Sequence, residues 1–326
     1  AHPYHHPIIG YKEELERLKA ADMRAYYEHH YGPNRACLTV VGAIDKKRTR
    51  RRIKELFGGI PRAQERQMAI REPEPQGERR ATLQTPHSVT RLCIGFPTCR
   101  MGERDDYALD LIAHDLGNSK NSRLYRRLVV KEQFVTDVSV MNEPRQDPGG
   151  FFILAELHPG VSPERVESAI REEVMALTQE GVAERDLRRI RTQIESSFLF
   201  QNETALDLAM KLARFEAGTE KGYRTLEDVL PTYASMARKE LRDIAAKYLQ
   251  FDRSVVVWGV PAAVREEAVG RKAKAAAAQK KKPASKKKAA KKAAKKAAKK
   301  AAKKAAKKVA KKATSAKKRK VGSKKQ

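Results

Sequence analysis

Apolar positions follow two different periods over most of this chain and then lose all period near its end. Ala21–Tyr31 has helical spacing and is closed by Gly32-Pro33-Asn34, a stop-and-turn cluster. The β-branched run Arg35–Ala43 predicts a strand buried on both faces. Asp45 is placed to cap a basic helix running to Phe57, which Gly58-Gly59 and Pro61 end. Residues 61–80 are polar, hold three prolines and show no apolar period, so they read as a linker. Val89–Phe96 then predicts a strand, Glu103–Leu116 a helix and Asn121–Val130 a second helix. Strands follow at Phe134–Met141 and Phe151–Leu157, around the hairpin turn Asp147-Pro148-Gly149-Gly150. Val166, Ile170, Val174 and Leu177 line one face of a helix, and Leu187, Ile190, Ile194 and Phe198 line a face of another. A last helix ends at Tyr248 and a last strand spans Ser254–Val260. Strand pairs with segregated helices predict an α+β fold rather than a doubly wound parallel sheet.

The segments Tyr31–Gly42 and Tyr248–Gly259 both run helix, turn, apolar strand, glycine at the same spacing. Either this is a repeat, or two unrelated segments share a common ending. A repeat would make Ala81–Pro261 a whole unit and the first 44 residues the back of another, with about 135 residues of that unit absent from this chain.

Composition changes the picture at one end. The 326 residues carry a formal net charge of +29, but residues 271–326 hold 27 of the 69 Lys and Arg and no acid. Residues 1–270 are left with 42 basic and 40 acidic side chains, nearly neutral. No apolar run reaches the ~18 residues of a membrane span. Cys37, Cys93 and Cys99 form no CxxC, which excludes a zinc ribbon or disulfide scaffold. The start at Ala1 reads as processed or incomplete.

Three stretches carry a family resemblance. His2–Gly10 (HPYHHPIIG) resembles an HPYxxPxxG segment. Asp22–Gly42, with Tyr26-Tyr27, Tyr31, Pro33-Asn34 and Leu38–Gly42, is similar to a domain-closing helix and strand. Asn118–Tyr125 (NSKNSRLY) looks like a second-domain loop and helix. The family is the insulinase/pitrilysin group of zinc peptidases, the inverzincins, which includes mitochondrial processing peptidase. The resemblance covers residues 1 to about 262 and implies duplicated α+β domains, each an antiparallel or mixed sheet layered with helices. It implies a remnant of the first domain at 1–60, a linker at 61–80, a complete second domain at 81–262 and an appended tail at 263–326.

Such peptidases need an H-x-x-E-H helix, with two His ligands for zinc and a Glu as general base. A further Glu completes the ligand set and leaves a position open for water. None of the eight histidines begins that motif: Gly32 follows His29 at the Glu position, and Gly117 follows His114. The resemblance places those groups upstream of the HPY segment. Zinc is then expected in the intact enzyme and none in this chain, which has no catalytic or metal residue and is expected to be inactive alone. Many members also carry an Arg and a Tyr seven residues apart that hold the substrate backbone. Aligned on Ser122–Tyr125, those places are Val129, which has no donor, and Thr136, which is too short. Leu124–Gln133 is similar to the zinc-bearing chain of bacterial two-subunit members. The implied partners are therefore an N-terminal half, a second family subunit with the Arg/Tyr pair, and a peptide substrate.

The same resemblance makes Asn118, Ser122, Arg123 and Tyr125 candidates for the substrate cleft, although Tyr125, at i+4 from Asn121, is equally placed to pack. His2, His5 and His6 could bind metal adventitiously, but no carboxylate or cysteine completes a set, and a packed turn accounts for them better. His29-His30 falls where a helix dipole favours a surface cation. Cys93 reads as a small core residue. Glu132 and Asp137 are acids of the ordinary kind found at any helix–strand junction.

From Lys286 to Lys312 the chain repeats Lys-Lys-Ala-Ala. Both residues favour helix, but a period of four sets Lys on Lys at i,i+4, which repels. Only Val309 exceeds alanine in apolar size there, so a disordered tail is expected, turning helical once its charge is neutralised. Its composition resembles linker-histone tails. It predicts nonspecific, salt-sensitive binding of nucleic acid or another polyanion, with Lys286, Lys287, Lys288, Lys291, Lys292, Lys295, Lys296, Lys317, Lys318, Arg319 and Lys320 as candidates. No aromatic is present to stack on bases. Three functions stand: part of a zinc metallopeptidase subunit forming a chamber wall, a noncatalytic scaffold subunit of that family, or a polyanion-binding protein acting through the tail.

Overall fold

Alternation in Arg91–Pro97 sends Leu92, Ile94 and Phe96 to one side and Cys93 and Gly95 to the other. In the computed structural model, which describes residues 2–63 and 72–262, this run lies at the centre of a sheet. The strands are β1 (Arg79–Thr85), β2 (Arg91–Pro97), β3 (Val135–Glu143), β4 (Gly150–Leu157) and β5 (Val255–Pro261), in the spatial order β1-β5-β2-β4-β3. β1 and β5 are parallel and every other pairing is antiparallel, so the sheet is mixed, as the α+β reading expects. The last strand in sequence, β5, is inserted between the first two. A bulge between Val135 and Asp137 lets β3 keep both Val135 and Val138 buried.

The helices are α1 (Lys12–Leu15), α2 (Ala20–His30), α3 (Lys46–Phe57), α4 (Arg104–Leu116), α5 (Pro163–Glu180), α6 (Glu184–Phe200), α7 (Ala205–Gly218), α8 (Thr225–Ser235) and α9 (Arg238–Tyr248). One hydrophobic cluster joins Leu92, Ile94, Phe96, Ile153 and Val256 of the sheet to α4, α5, α6 and α9. α4 is buried over almost its whole length from Asp106 onward, the mark of a central rather than a surface helix. Among the described residues no helix is long and apolar enough to cross a membrane.

The structure departs from the sequence reading at four places. Arg35–Ala43 forms no strand: it pairs with no other strand among the described residues, and Leu38 and Val40 are exposed. A β-branched run needs a neighbouring edge to satisfy its backbone, and none of the described strands pairs with it. β1 begins inside the segment read as linker, because an edge strand with an exposed face (RRATLQT) shows little apolar alternation. Asn121–Val130 is largely π-helical, over Tyr125–Lys131. α7 and α8 were not expected: α7 buries no residue fully, and α8 carries Pro231 inside it.

Two helix–turn segments of the chain share backbone features. α2 and α9 are each eleven residues long, and each has an acid three residues past its N-cap. Asp22 accepts from the N–H of Lys19 at 2.9 Å and Glu240 from that of Ala237 at 3.4 Å. Each helix leads into a three-residue 3₁₀ turn, Pro33–Arg35 and Phe251–Arg253, at the same displacement of 218 residues. That register is one residue away from the Tyr31/Tyr248 match.

Candidate functional site

The pairing register defines which residues share the sheet face turned away from the helices. Cys93 stands beside Leu154 and Val257, and Leu154 beside Ser139; Gly95 stands beside Phe152 and Val255, and Phe152 beside Met141. These residues are half-buried, whereas Ile94, Ile153, Val140 and Val256 on the other face are buried. Gly95 permits this packing, since a Cβ there would meet the Phe152 ring at 3.1 Å. The ring therefore lies over the glycine, and Arg91 and Glu156 pair at 2.5 Å at one end of the face. The result is an apolar sheet surface, less buried than the opposite face.

Between α4 and β3, the chain passes through the loop and π-helix that carry the cleft candidates. Asn118 is exposed. Ser122 is buried, and its hydroxyl donates to the Ser119 carbonyl at 2.6 Å. Arg123 turns inward: its Nε donates to Asp115 Oδ2 at 2.7 Å and its Nη2 to the Gly181 carbonyl at 2.8 Å. Tyr125 is half-buried against the core. Ser122 and Arg123 thus hold the loop in place. Val129 packs against the core and Thr136 donates to the Glu156 carbonyl at 3.3 Å. Leu124 and Leu128 are fully buried, and between Arg127 and Glu132 the backbone bond spans five residues, widening the turn. Arg127 is held by Glu132 (3.0 Å), Glu172 (2.5 Å) and Glu173 (3.2 Å), tying the π-helix to α5.

A cleft of about 1010 Å³ opens beside the N-terminus of α4, and two ion pairs line it: Lys221 with Asp228 at 2.7 Å and Arg100 with Asp147 at 3.7 Å. Behind it lies a polar cluster that the sequence reading missed. Asp106 and Asp110, one turn apart on α4, both accept from Asn142 Nδ2, at 2.7 and 3.0 Å. Asp106 also accepts from the Gly102 N–H at 2.9 Å, and Asp110 from the Tyr233 hydroxyl at 2.5 Å. Burial and then the neighbouring Asp110 push Asp106 up to about 7, and burial raises Asp110 as well. The sequence signal was Asp106 and Asp110 at i,i+4 among the buried positions of α4.

The histidines and cysteines do not assemble into a centre. His2 Nε2 lies 3.1 Å from Asp147 Oδ2 and His5 Nδ1 lies 2.7 Å from the His2 carbonyl, while residues 3–9 are exposed. His29 stacks edge-on to His30. Burial lowers His114 and raises the Cys93 thiol; burial and nearby carboxylates push Cys99 up to about 12, so neither thiol is a ready nucleophile. Among the described residues no group of three or more His, Cys, Asp or Glu could hold a metal ion. The eleven polyanion candidates from Lys286 to Lys320 lie outside the described residues.

Comparison with known proteins draws these features together. The family model described as the peptidase M16 inactive domain matches residues 17–194. The zinc protease PqqE of Helicobacter pylori is 22% identical over 264 residues, covering 80% of this chain and 59% of that protein. An uncharacterized zinc protease of Mycobacterium tuberculosis is 21% identical, covering 79% of this chain and 59% of its own length. The crystal structure of a protease from Helicobacter pylori aligns with a TM-score of 0.74 at 22% identity, over 80% of this chain and 63% of that one. That of a peptidase M16 inactive domain from Pseudomonas fluorescens aligns at 0.70 and 18% identity, over 80% and 62%. These likenesses show the same fold, and the chain spans about 59% of the length of the curated relatives.

Proposed function

The chain belongs to the peptidase M16 family, as a protein of its inactive-domain type, and from that premise we propose that it supplies the noncatalytic wall of a zinc metallopeptidase chamber. The observation that carries this reading is the half-buried apolar sheet face around Phe152, Leu154 and Val257, on a sheet whose opposite face is sealed by helices. An apolar face of this kind is matched by an extended peptide or by a facing domain. In this reading residues 81–262 are the second domain, residues 1–60 close a first one, residues 61–80 join them, and residues 263–326 are an appendage. The matched geometry of α2 and α9 supports the duplication. Arg35–Ala43 would become a strand on meeting the rest of the first domain.

Relatives of this chain are named zinc proteases, but its described residues offer no ligand set. The zinc is therefore assigned to a catalytic half bearing H-x-x-E-H, and the substrate-binding Arg/Tyr pair to a second subunit. Asn118 is the cleft candidate free to reach a peptide, with Ser122, Arg123 and Tyr125 shaping the loop beneath it.

The test begins with the coding DNA upstream, read for an in-frame H-x-x-E-H about 130 residues back. The encoded catalytic half is then co-expressed with the full chain, and chelator-sensitive hydrolysis of an unfolded protein is measured. Leu154→Arg on the half-buried apolar face is expected to leave the circular dichroism of the chain intact and to reduce hydrolysis tenfold or more. Undiminished hydrolysis, or the absence of any such motif upstream, would overturn the reading.

A further inference from the structure

The charge of the body is segregated. In α3, seven of twelve residues are Lys or Arg and one is acidic; the remainder of residues 1–270 carries 35 basic and 39 acidic side chains. Glu55 serves Arg51 at 3.8 Å and Arg52 at 3.2 Å, all three exposed. Lys46, Lys47, Arg48, Arg50 and Lys54 have no carboxylate partner among the described residues and are exposed. Lys46, Arg50 and Lys54 follow one another at i,i+4, a row about 12 Å long, with Lys47 beside it. Thr49 and Ile53, the half-buried positions of α3, flank this row about 80° around the helix. The helix is capped at the other pole of its charge, where Asp45 accepts from the Arg48 N–H at 2.9 Å.

A row of cations at this spacing repels itself unless an anion lies along it. Duplex nucleic acid presents about one charge per 1.7 Å of axis, so a 12 Å row meets about seven phosphate charges. Phe57, exposed at the C-terminal end of α3, is the one aromatic of the helix, and the choice of duplex over single strand rests on the greater charge density of the duplex. Residues 271–326 are basic in the same way, with 27 Lys and Arg, no acid and no aromatic.

We infer that α3 is a docking element for the phosphate backbone of duplex nucleic acid, bound without regard to sequence, and that the basic residues of 271–326 add to the same affinity. This activity is separate from the chamber wall and stands whether or not the chain serves a peptidase.

The test uses the full chain and a 30-bp duplex, with binding followed by fluorescence anisotropy from 50 to 300 mM KCl. One variant carries Lys47→Gln, Arg50→Gln and Lys54→Gln; a second carries Gln at the eleven basic positions between Lys286 and Lys320 named above. Each phosphate contact contributes about 0.9 to the slope of log affinity against log salt. The α3 variant is therefore expected to lose about 3 from that slope, and the tail variant more, with unchanged circular dichroism in both. A slope for the α3 variant within one contact of the parent would overturn the role of α3. So would binding of a single strand as tight as the duplex, or retention on anionic phosphatidylglycerol vesicles with none on the duplex.

Discussion

Replacing Asp110 by Asn tests the buried acidic pair on α4. The Asp106 and Asp110 oxygens lie 2.7 and 3.0 Å from one nitrogen, Asn142 Nδ2, and so within about 6 Å of each other. At an effective dielectric of about 20, two full charges at that distance repel by about 3 kcal/mol. Asp106, only 5% exposed, is raised from 3.8 to about 7 by burial and by Asp110. Between those values the native protein holds a proton that the unfolded chain has released. The stability this proton confers is fully present below pH 3.8 and is lost as pH rises through about 7, about 4 kcal/mol in all. Asp110→Asn keeps the fold of the site, because the new amide oxygen can accept from Asn142 and its nitrogen can donate to the Tyr233 oxygen. It removes one charge, so Asp106 should titrate lower and the loss of stability with pH should shrink. Urea unfolding of both proteins at half-unit steps from pH 5 to 8 measures this. The variant is expected to gain on the parent as pH rises, by up to about 3 kcal/mol at pH 8. Shifts at His114 and Asp115 are common to both proteins and cancel in the difference. A difference between the two curves that does not vary with pH would refute the reasoning.

Arg123→Ala leaves Asp115, 2% exposed, without its cation and is expected to cost about 3–5 kcal/mol in urea unfolding; a loss under 1 kcal/mol would show that the loop does not depend on the pair. Gly117→Ala would set a Cβ 2.3 Å from Val140 Cγ2 and 2.8 Å from the Val140 nitrogen, where β3 cannot yield cheaply. A cost of about 1–3 kcal/mol, read as a lowered melting temperature, is expected, and an unchanged melting temperature would contradict this close approach.

Much of the fold was legible because burial imposes a period. β2, β4 and β5 were placed within a few residues, since each has one face sealed by helices and so alternates or runs apolar. The α5 stripe Val166–Ile170–Val174–Leu177 is fully buried as its spacing implied. β1 was illegible because an edge strand exposed on both faces has no period to read. α7 and α8 were missed for a related reason: α7 buries nothing fully, and Pro231 in α8 reads as a break. At the site, the family segments located the Asn118–Tyr125 loop, but no pattern disclosed that Arg123 points inward to Asp115 and Gly181.

The sequence by itself determined the fold class, the family, the near-neutral body and the confinement of excess charge to α3 and to residues 271–326, because these follow from local period and composition. Only the tertiary structure decided three further matters. It inserted β5 between β1 and β2, brought Asn142 of β3 and Tyr233 of α8 onto two acids of α4, and left one face of the sheet less buried than the other. Each depends on contacts between residues far apart in the chain. Pairing register and helix coverage, which no local pattern encodes, fix those contacts.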